Sequence, residues 1–306
     1  MSATYSELRA QLATLTTEAF RPELAEIDQL PTLDIARTMN AEDQTVPAAV
    51  AAQLPLIAAA IDATADRMAR GGRLIYAGAG TAGRLGVLDA SECPPTFNTD
   101  PSEVVGLIAG GPSAMVKAVE GAEDSRELAA ADLDGLALTP DDTVVGISAS
   151  GRTPYAIGAV EHARAKGALT IGLSCNADSG LAAAAEHGIE VVTGPELLTG
   201  STRLKAGTAQ KLVLNMISTI TMIRLGKTYG NLMVDVRASN DKLQARSRRI
   251  VALATGAPDA QIETALAEAD GEVKTAILMI LADIDAKEAD QRLHDAQGHL
   301  RAALTP

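Results

Sequence analysis

The sequence predicts an α/β fold built on a five-stranded parallel sheet. Helical stretches separate five short apolar runs, and this alternation indicates parallel strands joined by right-handed crossovers. Each run is nearly continuous, as expected for strands buried on both faces. The 26 glycines and 2% aromatic residues fit Ala-rich helices and Gly-rich loops better than an all-β sandwich. The five runs are residues 73–80, 104–111, 142–150, 169–176 and 189–195.

The chain ahead of the sheet is predicted to be helical. Residues 1–45 form an N-terminal segment of short helices, which Pro22 and Pro31 interrupt. A long Ala-rich helix is expected over 46–70, with Pro55 marking either a kink or a break at its start.

Helices are also predicted between and after the strands. We expect them over 81–92, 113–131, 154–167 and 179–187, followed by a long apolar helix over 204–226. From about Ser247 the strands stop, and three or four short helices follow. The sequence therefore predicts three parts: the segment 1–45, a sheet domain over 46–240 and a helical subdomain over 241–306.

The charge balance limits the classes of partner. The formal net charge is −13, whereas nucleic-acid and membrane-surface binding need basic patches. An anionic small molecule stays possible, because a local site can be positive in an acidic protein. No apolar run reaches the membrane-spanning length of about 18 residues, and the first residues lack a signal-peptide pattern. We expect no nucleic acid and no membrane as partners, and a cytoplasmic location.

Metal and disulfide chemistry are not expected. Cys93 and Cys175 are the only cysteines, and two cysteines give neither a disulfide framework nor a zinc-binding spacing. We therefore expect two reduced thiols in the core or in loops. None of the four histidines pairs with a cysteine or an acid at ligand spacing, so the sequence predicts no metal site.

The loop after the first strand has a dinucleotide-like spacing. Gly78, Gly80 and Gly83 match G-x-G-x-x-G, but the acid that binds a ribose should follow the second strand. That position holds Gly110 and Gly111 instead, so a nicotinamide cofactor is not expected. Gly80 and the following Thr81 remain candidate substrate-binding residues at the carboxyl edge of the sheet.

Two further loops offer anion-binding groups. After the third strand, "SASGRTP" places Ser148, Ser150, Gly151 and Thr153 where a helix begins, an arrangement that favours phosphate. The alternative is an ordinary Ser/Thr helix cap. After the fifth strand come further hydroxyl and basic side chains ahead of the longest helix, and they either bind the anion or cap the helix and meet solvent. The candidates there are Ser201 and Lys205.

Two acids are candidates for proton transfer. On a helix over 113–131, Glu123 would lie roughly 50° from the centre of the apolar stripe, closer than its acidic neighbours. A partly buried carboxylate suits proton transfer. Glu92 is predicted at the end of a helix, ahead of Pro94-Pro95, where the helix dipole disfavours its charge. An acid that keeps its proton can act as a general acid; the alternative is an ordinary surface carboxylate.

Five long motifs then resemble one family. "GAGTAGRLGVLDASECPPTF", "AVEGAEDSRE", "GISASGRTPY", "LTGSTRLKAGTAQKLVLNM" and "GNLMVDVRASNDKL" closely resemble the N-acetylmuramic acid 6-phosphate etherases. These belong to the sugar isomerase (SIS) phosphosugar-binding proteins and are related to the glucokinase regulatory protein. The resemblance covers nearly the whole chain and implies the three-layer αβα fold of SIS domains.

The resemblance also implies an activity. The family cleaves the D-lactyl ether of its substrate by elimination and hydration, in peptidoglycan recycling. By this resemblance Glu92 is the proton donor and Glu123 is the second catalytic carboxylate, although one acid could serve both steps. The family needs neither metal nor redox cofactor and is typically a homodimer. The expected substrate-binding residues are Gly80, Thr81, Ser148, Ser150, Gly151, Thr153, Ser201 and Lys205.

One departure and two alternatives accompany this interpretation. The family often has Ser where this chain has Ala82, so one hydroxyl is missing, and weaker binding is expected rather than lost function. A non-catalytic phosphosugar-binding regulator is the first alternative, and a phosphosugar isomerase on the same fold is the second.

Overall fold

The structure, a computed structural model, describes residues 12–236 and 241–305. The chain divides into two compact units. The first contains the described residues up to Ser91 together with Glu103–Ile217, and the second contains Glu92–Ser102 and the described residues from Ser218 onward. The division into 1–45, 46–240 and 241–306 stays a prediction.

The first unit is built on the predicted five-stranded parallel sheet. Its strand order is β2-β1-β3-β4-β5, with every pairing parallel. All residues of β1, β3 and β4 are buried, as their continuous apolar runs indicate. The order reverses between β1 and β3, and ligands bind at such a switch point. The strands are β1 Leu74–Gly78, β2 Val104–Ile108, β3 Thr143–Ser148, β4 Leu169–Ser174 and β5 His187–Glu190.

Helices flank this sheet. The last residues of α4 and α8, from Glu92 and from Ser218 respectively, fall in the second unit. The helices are α1 Thr32–Asp43, α2 Val46–Ala51, α3 Leu54–Ala69, α4 Gly80–Phe97, α5 Arg126–Asp134, α6 Pro154–Ala165, α7 Gly180–Ala184 and α8 Lys205–Arg224.

Helices cover both faces of the sheet because β1 is apolar on both sides. Ile75 and Ala77 belong to the buried cluster that contains Leu133 of α5 and Tyr155 of α6. The alternate residue Tyr76 meets α4, which approaches so closely that a Cβ at Gly86 would lie 2.8 Å from the Tyr76 Cβ. The three-layer αβα architecture expected for a SIS domain is confirmed.

Two predicted helices differ from those observed. The helix expected over 46–70 is two helices, and Pro55 lies in the first turn of α3, where its missing N–H costs nothing. The helix expected over 113–131 is wrong. Two 3₁₀ turns, Pro112–Met115 and Ala122–Asp124, precede α5, and Gly121 before the second has a φ of 73° that an α-helix cannot contain.

Three other boundaries also shift. Helix α4 runs to Phe97 with both prolines inside it, so Glu92 is not its last residue. Strand β5 spans His187–Glu190, earlier than the expected 189–195, and the expected helix over 179–187 is the shorter Gly180–Ala184.

The second unit is mostly helical. A short antiparallel pair, β6 Thr228–Tyr229 and β7 Leu232–Met233, precedes five helices in its described part, where three or four were expected. Their apolar faces form one buried cluster that includes Val251, Ile277 and Leu278. The helices are α9 Asp241–Thr255, α10 Asp259–Glu268, α11 Val273–Ala282, α12 Ala286–Asp295 and α13 Leu300–Ala303.

A helix that spans a membrane must be both long and apolar. Within residues 12–236 and 241–305, no single helix meets both requirements. The pair Thr32–Ala51 and Leu54–Ala69, bent by 60°, meets them together by length and composition.

Candidate functional site

A cavity of about 630 Å³ opens at the switch point of the sheet. Its lining includes residues 79–82 after β1 and residues 148–150 and 152–154 after β3. These loops leave the sheet side by side, because Gly78 pairs with Ile147 at the ends of the two strands. We call it the larger cavity; its volume suits a small-molecule ligand. The rest of its lining is Leu12, Leu15, Glu18, Glu123, Asp124, Thr202 and Gln210.

Hydroxyl groups converge in the loop after β3. The Ser148 Oγ lies 2.8 Å from the Thr153 Oγ1 and 3.2 Å from the Ser150 Oγ. Thr153 is the N-cap residue of α6, but its side chain makes no capping hydrogen bond. The ordinary helix cap is therefore not what the Thr153 hydroxyl provides. Because α6 begins at Pro154, which has no N–H, the first N–H groups of the helix are those of Tyr155 and Ala156, after the three hydroxyls.

Gly151 is required for this loop to close. Its φ of 68° lies in the left-handed region, and a Cβ there would lie 2.3 Å from the Ser179 Cβ. Its N–H donates to the Ser148 Oγ at 3.1 Å. Gly151 is not among the described residues that line the larger cavity, but its hydrogen bond holds Ser148 in position.

The glycines after β1 serve packing and access. A Cβ at Gly83 would lie 2.6 Å from the Gly78 carbonyl oxygen, so these two glycines let α4 approach the end of β1. Gly80 has a φ of 53°, and a Cβ there would meet nothing within 4 Å. The spacing that resembles a dinucleotide motif therefore has a packing reason. Gly80, Thr81 and the buried Ala82 all line the larger cavity.

Glu123 lines the larger cavity, but it does not lie on the α-helix that the sequence predicted. It lies in the 3₁₀ turn Ala122–Asp124, and it is exposed rather than partly buried. It lines the larger cavity and also a second cavity of about 200 Å³, which we call the smaller cavity. Glu123 therefore lies at the boundary of two open spaces.

Glu92 has a different position. Its side chain is exposed on α4, five residues before the end of the helix, in the part that belongs to the second unit. It is not among the described residues that line the larger cavity. The role assigned to Glu92 stays a prediction.

Lys205 and Ser201 are not brought to the larger cavity either. The Lys205 Nζ donates to Glu42 at 2.7 Å, and Arg21 contacts the other oxygen of that carboxylate at 2.6 Å. Burial raises the pKa of Glu42, but the hydrogen bonds from Lys205 and Arg21 outweigh it, and the net pKa lies below its ordinary value. The charge of Lys205 is thus already neutralised.

The N-terminus of α8 is also occupied. The fully buried Glu196 accepts hydrogen bonds from the backbone N–H groups of Lys205 at 2.9 Å and of Ala206 at 3.0 Å. A carboxylate at this position satisfies the free donors and complements the helix dipole. Glu196 therefore caps this helix, and the role expected for Ser201 stays a prediction.

Gln210 is a lining residue that the sequence did not indicate. It lies in α8, is only 1% exposed, and its Nε2 has no hydrogen-bond partner in the described part of the chain. An unpaired buried amide costs about 1–3 kcal/mol. An uncharged side chain within an apolar helix gave no signal of this in the sequence.

Arg152 was also missed, although it lies inside the quoted motif "SASGRTP". Its Nη2 donates to the Thr14 Oγ1 at 3.0 Å, and it is the only basic residue among the described residues lining the larger cavity. Glu18, Glu123 and Asp124 are the acids there. In the described ranges, no three His, Cys, Asp or Glu side chains lie close enough together to hold a metal ion.

Both cysteines are free and buried, as expected. Burial raises the pKa of the Cys175 thiol to about 12, and the charge of Glu196 adds to this shift. The Cys175 Sγ donates to the Ala206 carbonyl oxygen at 3.6 Å. A thiol that stays protonated at neutral pH is a poor nucleophile, so Cys175 is a structural residue.

The chain is similar to known proteins over nearly its whole length. Residues 56–164 match the model of the glucokinase regulatory protein N-terminal SIS domain, and residues 125–220 match that of the SIS domain. The N-acetylmuramic acid 6-phosphate etherase of Streptomyces avermitilis is 82% identical over 98% of this chain and 96% of its own. The protein of that name from Serratia proteamaculans is 58% identical over 96% and 99%. A phosphoheptose isomerase structure from Francisella tularensis matches 63% of this chain and 100% of its own, at 19% identity and a TM-score of 0.49.

Proposed function

Because the chain belongs to the N-acetylmuramic acid 6-phosphate etherase family and is a carbon–oxygen lyase, we propose that the larger cavity is where it binds and cleaves that sugar phosphate. The products are N-acetylglucosamine 6-phosphate and D-lactate, in the recycling of cell-wall amino sugars. One observation carries the placement of the reaction: Glu123 and the hydroxyl loop of Ser148 and Thr153 line the same cavity.

The substrate phosphate lies at the hydroxyl loop. Ser148, Ser150 and Thr153 donate hydrogen bonds to its oxygens, together with the first N–H groups of α6. Arg152 adds a full positive charge beside them. Gly80 and Thr81 line the same cavity and contact the sugar. Lys205 and Ser201 take no part in this arrangement. Neither is among the described residues that line the larger cavity, and Lys205 is paired with Glu42.

The reaction proceeds by elimination and then hydration. The sugar ring opens, and the aldehyde at C1 acidifies the proton on C2. Glu123 takes that proton, the electron pair of the C2–H bond forms a C2–C3 double bond, and the C3–O bond breaks. Glu92 gives a proton to the departing lactate oxygen. Water then adds at C3, and C2 regains a proton, which restores the acetamido sugar.

The proposed role of Glu92 depends on a homodimer. Glu92 is exposed and is not among the described residues that line the larger cavity. A homodimer would let Glu92 of one subunit serve the cavity of the other, and oligomers commonly have such two-fold symmetry. The free, buried thiols Cys93 and Cys175 fit a reducing compartment, which supports the cytoplasm.

Gln210 provides a further contact. Gln210 lines the larger cavity and its buried Nε2 has no hydrogen-bond partner among the described residues, so an oxygen of the sugar or of its acetamido group would supply the missing acceptor. The cost of the unpaired amide in the free protein would then be recovered when substrate binds.

The test is lactate release from N-acetylmuramic acid 6-phosphate, with a metal chelator present. We expect stoichiometric D-lactate and N-acetylglucosamine 6-phosphate, and no lactate from a substrate that lacks the ether. Saturable binding without lactate would support the regulator instead. An isomerised sugar phosphate without lactate would support the isomerase.

A further inference from the structure

The smaller cavity adjoins the larger one at the point where the reaction is proposed. Its volume is about 200 Å³, and it shares Ala79, Gly80 and Glu123 with the larger cavity. Because a Cβ at Gly80 would meet nothing within 4 Å, the backbone does not obstruct the space there. A ligand in the larger cavity can therefore extend a short side branch past Glu123.

Arg84 supplies the positive charge of the smaller cavity. It is partly buried, and its guanidinium is fixed by two backbone carbonyls. The Nε donates to the Met115 oxygen at 2.9 Å, and the Nη2 donates to the Ala114 oxygen at 2.7 Å. A guanidinium has five N–H bonds, so three remain for another partner.

Arg84 differs from other cations of the first unit in its ion pairing. In the part of the chain that the structure describes, its guanidinium forms no ion pair, although Glu120 and Glu123 line the same cavity. Two other cations of the first unit, the partly buried Arg73 and the buried Lys205, differ in this respect. Arg73 is paired with Asp142 at 2.7 Å, and Lys205 is paired with Glu42 at 2.7 Å. A fixed, partly buried and unpaired guanidinium in a chain of net charge −13 indicates an anionic ligand.

The substrate has two anionic groups, and the two cavities separate them. The proposed function places the phosphate on C6 at the hydroxyl loop, and this further inference rests on that proposal. We propose that Arg84 binds the carboxylate of the lactyl group, which enters the smaller cavity from O3 of the sugar. Glu123, at the boundary of the cavities, then lies beside C2 and C3, between the two anchored ends.

This arrangement has a consequence for specificity. The substrate engages both cations, whereas the product N-acetylglucosamine 6-phosphate has lost the lactyl group and engages only Arg152. Arg84 is therefore a binding residue that distinguishes substrate from product. Its forked donors match a carboxylate in a way that a lysine ammonium does not.

The experiment compares two ligands across two variants. The KM for N-acetylmuramic acid 6-phosphate and the inhibition constant of N-acetylglucosamine 6-phosphate are measured for wild type, Arg84→Gln and Arg152→Gln. For Arg84→Gln we expect the KM to rise at least about tenfold, as for a lost charge-assisted hydrogen bond, with the inhibition constant changed by less than about twofold. Arg152→Gln should raise both constants, because both ligands carry the phosphate.

Several results would overturn the assignment. If Arg84→Gln raises both constants equally, Arg84 binds the phosphate, and if it changes neither, Arg84 only supports the Ala114 and Met115 carbonyls. Should Arg84→Gln fail to fold, Arg84→Lys keeps the charge and must show the same separation of the two constants. Wild-type lactate release in the same assay tests the proposed function itself. Its absence would refute that function, whereas its presence without the separation would refute only the role of Arg84.

Discussion

The Ser148 hydroxyl lies 2.8 Å from the Thr153 hydroxyl, across the loop that leaves the central strand β3. Neither hydroxyl is needed to cap α6, whose N-cap side chain makes no capping bond. Both residues instead line the larger cavity, next to the N-terminus of the helix. This pair is the centre of the phosphate site that we propose.

Removing these hydroxyls should weaken substrate binding. We expect Ser148→Ala or Thr153→Ala to raise the KM about 10- to 100-fold, the value of one hydrogen bond to a charged oxygen. Steady-state kinetics on both variants checks this. Thr264→Ala, which removes an exposed hydroxyl on α10 in the second unit, is the matched control and should leave the KM unchanged. An unchanged KM for both cavity variants would place the phosphate elsewhere.

Glu123 should be needed for chemistry rather than for binding. We expect Glu123→Gln to lower kcat by about 10²- to 10⁴-fold, the usual contribution of a general base, with little change in stability because the side chain is exposed. Glu127→Gln removes another exposed acid four residues later and should retain activity. Lactate release and thermal unfolding are measured on both. A Glu123→Gln enzyme with normal kcat would exclude Glu123 as the base.

Glu92 should act across the subunit interface of the proposed homodimer. We expect Glu92→Gln to abolish lactate release and to leave the fold intact. Mixing it with inactive Glu123→Gln, under conditions that exchange subunits, should restore about a quarter of the wild-type activity, because half of the dimers would contain one intact site. No restoration in dimers proven to be mixed would mean that both acids come from one subunit.

Gln210 should show opposite effects on binding and stability. Gln210→Met removes an amide whose Nε2 has no partner, so the free energy of unfolding should stay equal or increase. The KM should rise about 3- to 10-fold, because one neutral hydrogen bond to substrate is lost. Denaturant unfolding and kinetics on the same preparation give both values. A loss of stability without a change in KM would identify Gln210 as a structural residue only.

Asp142 should make stability depend on pH. Burial raises the pKa of its carboxyl, but the hydrogen bonds from Arg73 and from the Thr139 N–H outweigh it, and the net pKa lies below the ordinary 3.8. Its stabilising effect is therefore complete above about pH 4 and is lost as the pH falls through the lower folded value.

The variant Asp142→Asn tests this linkage. At pH 7 it should lower the free energy of unfolding by about 3 kcal/mol, because Arg73 keeps its charge but loses the buried carboxylate that is paired with it. The difference from wild type should shrink below about pH 4. Asp141→Asn removes an exposed partner of Arg70 and should cost less than about 1 kcal/mol. A difference that grows at acid pH would contradict the direction of the pKa shift.

The sheet and the edge at which the larger cavity opens could be predicted from the sequence. Buried parallel strands produce continuous apolar runs, and the loops that follow β1 and β3 therefore identified Gly80, Thr81, Ser148, Ser150 and Thr153. All five line the larger cavity. Composition also predicted the two free, buried thiols.

The pairing and placement of the other candidate residues depended on the folded structure and not on local sequence patterns. Lys205 is separated by 163 residues from Glu42, so no local pattern could show that its charge is already paired. The helix expected over 113–131 failed at Gly121, whose left-handed backbone turns Glu123 toward the cavities without a helical stripe. Arg84 gave no signal either, because only the fold shows that two backbone carbonyls fix its guanidinium and that it forms no ion pair with the described residues.

The most direct test of the central claim follows isotopes through one turnover. The reaction is run on N-acetylmuramic acid 6-phosphate in deuterium oxide enriched with oxygen-18, and both products are analysed by mass spectrometry and NMR. Elimination and hydration predict deuterium on C2 and oxygen-18 on C3 of N-acetylglucosamine 6-phosphate, with no oxygen-18 in the lactate hydroxyl. Oxygen-18 in the lactate hydroxyl with the C2 proton retained would show direct cleavage on the lactyl side and would contradict the mechanism proposed for Glu123.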